Sequence, residues 1–160
     1  MSEEIAEPHL QELQDLFLVA LETRRRGDVD KAIELLGQVL RGDPRLAEPR
    51  LELGRIHLDT GRLEEAEEQT REGLRVLLSG GQWIEDLAEE VVLSVAHGQL
   101  GEVLRRRAES DEVLFGPPED FKAMLKESKL HFDRAHELDP SNDHAQYFGL
   151  QLELKPSDEA

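Results

Sequence analysis

Residues 27–36 read GDVDKAIELL and residues 61–70 read GRLEEAEEQT. Both open on glycine and set an alanine three residues after an aliphatic side chain, Val29 to Ala32 and Leu63 to Ala66. The two glycines lie 34 residues apart, and the same offset pairs Ala20 with Gly54, Ala32 with Ala66 and Leu40 with Leu74. A recurrence of this length points to a repeated helix–turn–helix unit. Small residues at fixed places let paired helices approach, and large ones fill the gaps between ridges. Gly27 and Gly61 suit helix C-termini, where a left-handed residue carries no penalty if it is glycine.

With this period and these small positions the sequence resembles the tetratricopeptide-repeat (TPR) family. Counted from residue 13, the family's pattern falls on Leu16, Val19, Ala20, Ala32 and Leu36, with Pro44 as the closing proline. Counted from Ala47, it falls on Leu53, Gly54, Ala66 and Gly73, and departs from the family at Arg50, His57 and Thr70. A third count from Gly81 places Ile84, Leu87, Ala88 and Val91 at the expected first-helix positions. The matching second helix comes late, in HFDRAHELDPSN, with Ser128, Phe132, Ala135 and Pro140. Pro140 lies 28 residues beyond its expected place, which implies an insertion in the third repeat.

The resemblance implies an all-α protein, a short right-handed TPR solenoid. Repeats are expected near 13–46, 47–80 and 81–142, with the insertion near 95–122 and a capping helix at 142–154. Residues 8–154 form one domain on this reading, between flexible ends at 1–7 and 155–160. Helices are predicted over 8–26, 29–41, 47–60, 63–78, 82–109, 119–138 and 142–154. The 82–109 segment carries Gly98 and Gly101, each costing ~1 kcal/mol in a helix interior, so one long helix and a broken one both remain open.

Composition agrees and excludes several functions. The 160 residues are 34% charged and 4% aromatic, with a formal net charge of -17 and no cysteine. Acidic residues occur throughout the chain, so a phosphate backbone or an anionic membrane surface would be repelled. Without cysteine there is no disulfide framework, thiolate zinc site or cysteine nucleophile. The opening MSEEIAEP has no apolar signal core, and the apolar runs are too short to span a bilayer. A cytoplasmic protein without membrane insertion is the expectation. No HExxH, phosphate loop, dinucleotide glycines or nucleophile elbow is present. The histidines are scattered, and His131 and His136 are not spaced to share a helix face. No enzyme activity, cofactor or metal is therefore expected. Arg24–Arg26 and Arg105–Arg107 lie near predicted helix C-termini, where the helix dipole favours cations.

By family resemblance, one face of each repeat's first helix lines a concave groove. In repeat 1 that face carries Gln14, Phe17, Leu21, Arg24 and Arg25. In repeat 2 it carries Glu48, Leu51, Arg55, Leu58 and Asp59. In repeat 3 it carries Gln82, Glu85, Glu89, Val92 and Leu93. The row runs from basic to acidic with apolar residues throughout, as a cleft for an amphipathic segment would. A competing apolar patch, Val113, Leu114 and Phe115, lies in the insertion beside Gly116, Pro117 and Pro118.

One TPR subclass grips the C-terminal carboxylate of heat-shock chaperones with a lysine and two asparagines. Here those positions hold Phe17, Leu21 and Glu52, so the likeness does not extend to that clamp. The expected function is a non-catalytic adaptor or scaffold that binds another protein or peptide segment and no nucleic acid. Homodimers through the capping helix are also open. The alternative is a secretion or assembly chaperone, since the small three-repeat TPR chaperones of bacterial type III export are similar in size and acidity. A regulatory subunit of an enzyme is a third reading.

Overall fold

The protein is described from a computed structural model, which gives the backbone of residues 2–84 and 86–153 and the side chains of 9–84, 86–146, 148–150 and 152. Eight helices occur among these residues: α1 (Ser2–Arg25), α2 (Val29–Gly42), α3 (Ala47–Asp59), α4 (Leu63–Leu78), α5 (Glu89–Ala108), α6 (Asp111–Leu114), α7 (Pro118–Leu138) and α8 (Asp143–Glu153). No strand occurs among them; Leu46 and Gln82 form one isolated parallel bridge. The chain is an all-α helical repeat solenoid in which α1 pairs with α2, α3 with α4 and α5 with α7.

The quoted glycines turn each hairpin. Gly27 and Gly61 take φ values of 96° and 79°, the left-handed conformation anticipated at the ends of α1 and α3. Asp28 then caps α2, its carboxylate accepting from the Lys31 amide at 3.3 Å. Such a cap satisfies one of the amides that a helix start leaves without a partner. Within each hairpin the small residues sit at the crossing, where Ala20, Ala32 and Ala66 are all fully buried. Gly54 is pressed against Thr70 and the Ala66 carbonyl.

The third repeat differs from its expected layout. Gly101, not Ala88, occupies the crossing: a Cβ there would stand 2.9 Å from the Phe132 ring, and the Ser128 hydroxyl donates to the Gly101 carbonyl at 2.6 Å. Gly101 therefore meets α7 as Gly54 meets α4. This equivalence puts the start of the unit at Ser94 and divides the 28 extra residues into 13 before the unit and 15 between its helices. The helix expected over 82–109 begins only at Glu89 and then continues unbroken through Gly98 and Gly101. Residues 95–108, counted above as insertion, form the core helix of the repeat. The 15 extra residues supply the end of α5, the single turn of α6 and the start of α7.

Residues 82–84 and 86–88 are not helical, and polar backbone groups at the start of this stretch are taken elsewhere. The Ala47 amide donates to the Gln82 carbonyl at 2.9 Å, and the Gln82 amide to the Arg45 carbonyl at 3.0 Å. The Ile84 amide donates to the Glu48 carboxylate. Buried backbone groups need partners, and here the start of α3 supplies them in place of an i, i+4 ladder. At the N-terminus α1 reaches back to Ser2, ahead of the expected residue 8 and through the stretch read as a flexible end. The flexible end expected at 155–160 lies outside the described residues.

The last apolar face is closed by α8. Phe148 stacks on Phe132 with ring centroids 5.6 Å apart, and Ala145 and Leu152 complete the cluster. Solenoid ends require such a cap. Buried polar side chains tie the third repeat to its neighbours. Gln99 on α5 donates to the Leu51 carbonyl and the Thr70 hydroxyl, both at 2.9 Å. Ser94 donates to the Ala135 carbonyl at 2.7 Å and accepts from Asn142.

Candidate partner-binding groove

The first helices of the three units, α1, α3 and α5, line a concavity of about 370 Å³. Leu21 and Val95 give it apolar walls, and Phe17, Leu51, Val92 and Gln99 close its floor. Leu87 forms a further wall, from the non-helical stretch of residues 82–84 and 86–88. That segment straps across the groove. Ile84 packs against the α1–α2 core and borders a second hollow with Gln14, Phe17 and Leu21. Trp83 donates its indole N–H to the Leu87 carbonyl at 2.9 Å, closing the turn that presents Leu87.

Of the residues read from the sequence, Phe17, Leu21, Arg24, Glu48, Leu51, Arg55 and Val92 do line this groove. The apolar row is not freely exposed, however. Phe17 and Leu51 are only 2% and 6% accessible, so they form the groove's buried floor. Leu58 is wholly interior, packed with Ala66 and Val103 behind α3. Leu93 is half-buried against the α5 core, and Glu89 is exposed in the first turn of α5. Gln14 faces the smaller hollow, and Gln82 belongs to the strap. Glu85 lies outside the described residues.

The basic-to-acidic row is also cancelled at its basic end. Arg24 bonds Glu52 at 2.7 Å and Asp59 at 2.5 Å, while Arg25 turns away to Glu22. Arg55 bonds Glu102 at 3.3 Å. The bridges of Arg24 and Arg55 cross from one repeat to the next, so these charges serve the stacking of units as well as the rim of the groove.

Sequence reasoning missed Glu52, Leu87, Val95 and Gln99 as lining residues. A signal was present: the Leu-Gly pair at 53–54 recurs at 100–101, and that spacing gives the register of α5 directly. The fixed period hid it, because thirteen residues, made up of the strap and the first turn of α5, intervene.

The insertion patch is divided. Val113 is buried in the turn of α6, Leu114 is half-exposed, and Phe115 is 85% accessible. Behind it lies a hollow of about 350 Å³ between α4, α5 and α7, floored by Leu104, Val113 and Met124. Its rim is an ion network in which Glu67 bonds Arg71 at 2.7 Å and Arg107 at 2.6 Å, and Arg71 bonds Glu127 at 2.8 Å. Burial pushes the Glu67 carboxyl up, but the bonds from Arg71 and Arg107 outweigh it and hold the group below its usual value.

Between α5 and α7, His97 and His131 meet Nδ1 to Nδ1 at 2.9 Å, their rings stacked 5.2 Å apart. Burial, then the neighbouring His131 and Arg134, push His97 down to about 4. His131 is lowered by burial, although the Glu127 carboxylate bonded to it opposes the shift. Among the described residues, no three histidine, aspartate or glutamate side chains come together as a metal's ligands would. None of the described helices is long and apolar enough to cross a membrane.

Groove, strap and hairpin stacking define the class. Residues 24–76 match the family described as tetratricopeptide repeat. Among solved structures it is similar to the first TPR of Spaghetti (RPAP3) bound to the HSP90 peptide SRMEEVD. The TM-score is 0.64 at 15% identity, over 89% of this chain and 91% of that one. The likeness therefore extends well beyond the segment the family matches. Among curated proteins the chain matches none.

Proposed function

We propose that residues 8–154 act as one non-catalytic module that holds a segment of another protein in the concave groove of α1, α3 and α5. The observation that carries this is the groove itself: half-open, apolar-walled, and rimmed by charges held in place by inter-repeat ion pairs. Partner segments are captured in such concavities by a few apolar anchors, with polar contacts setting direction. The similar structure with a peptide bound supports this reading at the level of fold. The acidic peptide itself does not transfer, since the heat-shock clamp positions here are Phe17, Leu21 and Glu52. A cytoplasmic adaptor or scaffold fits these features. Affinity capture with mass spectrometry tests it, using the wild-type chain, Val95→Asp in the groove and Phe115→Ser on the arm. A partner lost with Val95→Asp and kept with Phe115→Ser supports the groove; the reverse pattern moves the site to the arm.

A further inference from the structure

Resting on the groove reading above, we propose that the segment it takes is cationic: aliphatic anchors flanked by lysine or arginine, lying between the strap and α5. Four carboxylates, Glu48, Glu52, Asp59 and Glu102, surround the groove or bond its rim, against two guanidinium groups, Arg24 and Arg55. Both arginines are already engaged by carboxylates, Arg24 by two of them. An incoming anion would have to break those bridges. It would also meet Asp86, Glu89 and Glu90, exposed along the strap and first turn of α5 beside the Leu87 wall. An incoming cation meets the opposite field, because the carboxylates outnumber the guanidinium groups and leave an excess of negative charge around the groove after pairing. The field of the whole chain, at net charge -17, has the same sign. Complementary charge of this kind steers encounter and rejects like-charged competitors.

The strap decides which part of the groove remains for the partner. Ile84 already fills the position against α1 that an apolar anchor would take, and its amide is held by Glu48. The accessible apolar groups are those further along, Leu87 at 41% and Val95 at 50% accessible, above the floor of Leu51 and Val92. The cavity of about 370 Å³ accepts a few aliphatic side chains there, and the carboxylates stand around its edge.

The test is selection from a random dodecamer peptide library on the 160-residue chain, with counter-selection on Val95→Asp. Enriched peptides should combine leucine, isoleucine or valine with lysine or arginine. Their affinity should fall about tenfold on Asp59→Lys plus Glu89→Lys at low salt, and less at high salt. Groove-dependent peptides that are acidic or uncharged, or whose binding ignores the charge reversals, overturn the cationic assignment and leave the groove reading standing. The absence of any peptide that distinguishes wild type from Val95→Asp overturns the groove reading as well. Circular dichroism of each variant confirms that the helical fold is intact, and a variant that unfolds is replaced by Leu87→Asp on the opposite wall.

Discussion

Gly101 and Phe132 are in contact across the α5–α7 crossing, so close that a Cβ on the glycine would stand 2.9 Å from the ring. One turn earlier on the same helix, a Cβ at Gly98 would meet only Asn142 and Ala135, at 3.6 and 3.8 Å. The two glycines share a helix and differ in what they touch. Replacing a helical glycine by alanine gains about 1 kcal/mol of backbone propensity. At Gly98 nothing offsets that gain. At Gly101 the rigid ring must move, and overpacking of this sort costs about 1–3 kcal/mol. Gly98→Ala is thus expected to raise the urea midpoint and Gly101→Ala to lower it. Equal shifts in the two variants would show that the crossing lies elsewhere on α5.

That crossing also marks where the sequence was readable and where it was not. The period between Gly27 and Gly61 fixes the first two hairpins because chain length and packing geometry agree there. It fails after Leu78, since nothing in a fixed period distinguishes residues that build a helix from residues that strap across one. Ile84 and Leu87 match the pattern of a first helix, yet their apolar side chains serve as anchors of a non-helical segment. The same ambiguity affected the groove. A periodic face tells which residues point inward from each first helix, but not how far the neighbouring unit covers them. Leu58 went to the core for that reason, and Val95 came to the surface.

Trp83 is the sole tryptophan, and its indole is bonded within the strap to the Leu87 carbonyl. Its fluorescence therefore reports on the strap. Ile84→Asp removes the half-buried anchor that holds this segment on α1. Burying such a side chain in full is worth about 1.5–3 kcal/mol, so the partial burial here predicts a loss of about 1–2 kcal/mol. Tryptophan emission should shift to the red, and amide exchange across 82–88 should accelerate while that of α3 and α4 is kept. Unchanged emission would place the anchor of the strap at Trp83 itself.

Acid should loosen the α5–α7 pair before the rest. His97 sits at about 4 in the folded chain against an ordinary value near 6.5, and His131 is lowered as well. The charged groups facing the pair are Arg134, Arg71 and the Glu127 carboxylate. A histidine held neutral by folding contributes its full stability above the unfolded value. That contribution shrinks as pH falls from about 6.5 towards 4, because the unfolded chain binds the proton first. Discounted for the solvent that reaches a half-buried ring, the loss is about 1–2 kcal/mol. His97→Gln should flatten the stability profile between pH 6.5 and 4. A profile as steep as wild type would assign the acid sensitivity to the carboxylates instead.

Binding has to be probed at the rim of the groove, because its floor belongs to the core. In the sequence Phe17 and Leu51 fall on the faces expected to line the groove. Their burial also makes them core residues: Phe17 joins the α1–α2 core and Leu51 the α3–α5 core. Truncation to alanine at such sites costs about 3–5 kcal/mol for phenylalanine and 2–5 kcal/mol for leucine, a large share of the stability of a small domain. Phe17→Ala and Leu51→Ala should therefore lower the melting temperature strongly, and a loss of binding in them would carry no information about the site. Leu87 and Val95 are accessible enough that an aspartate at either can remain in water. Leu87→Asp and Val95→Asp should keep the helical spectrum and the melting temperature within a few degrees of wild type while weakening the partner at least tenfold by titration calorimetry, as loss of a buried apolar anchor does. Phe115→Ser, on the exposed turn after α6, should change neither quantity. If Phe115→Ser alone abolishes binding, the arm is the docking element and the groove serves only to stack the repeats.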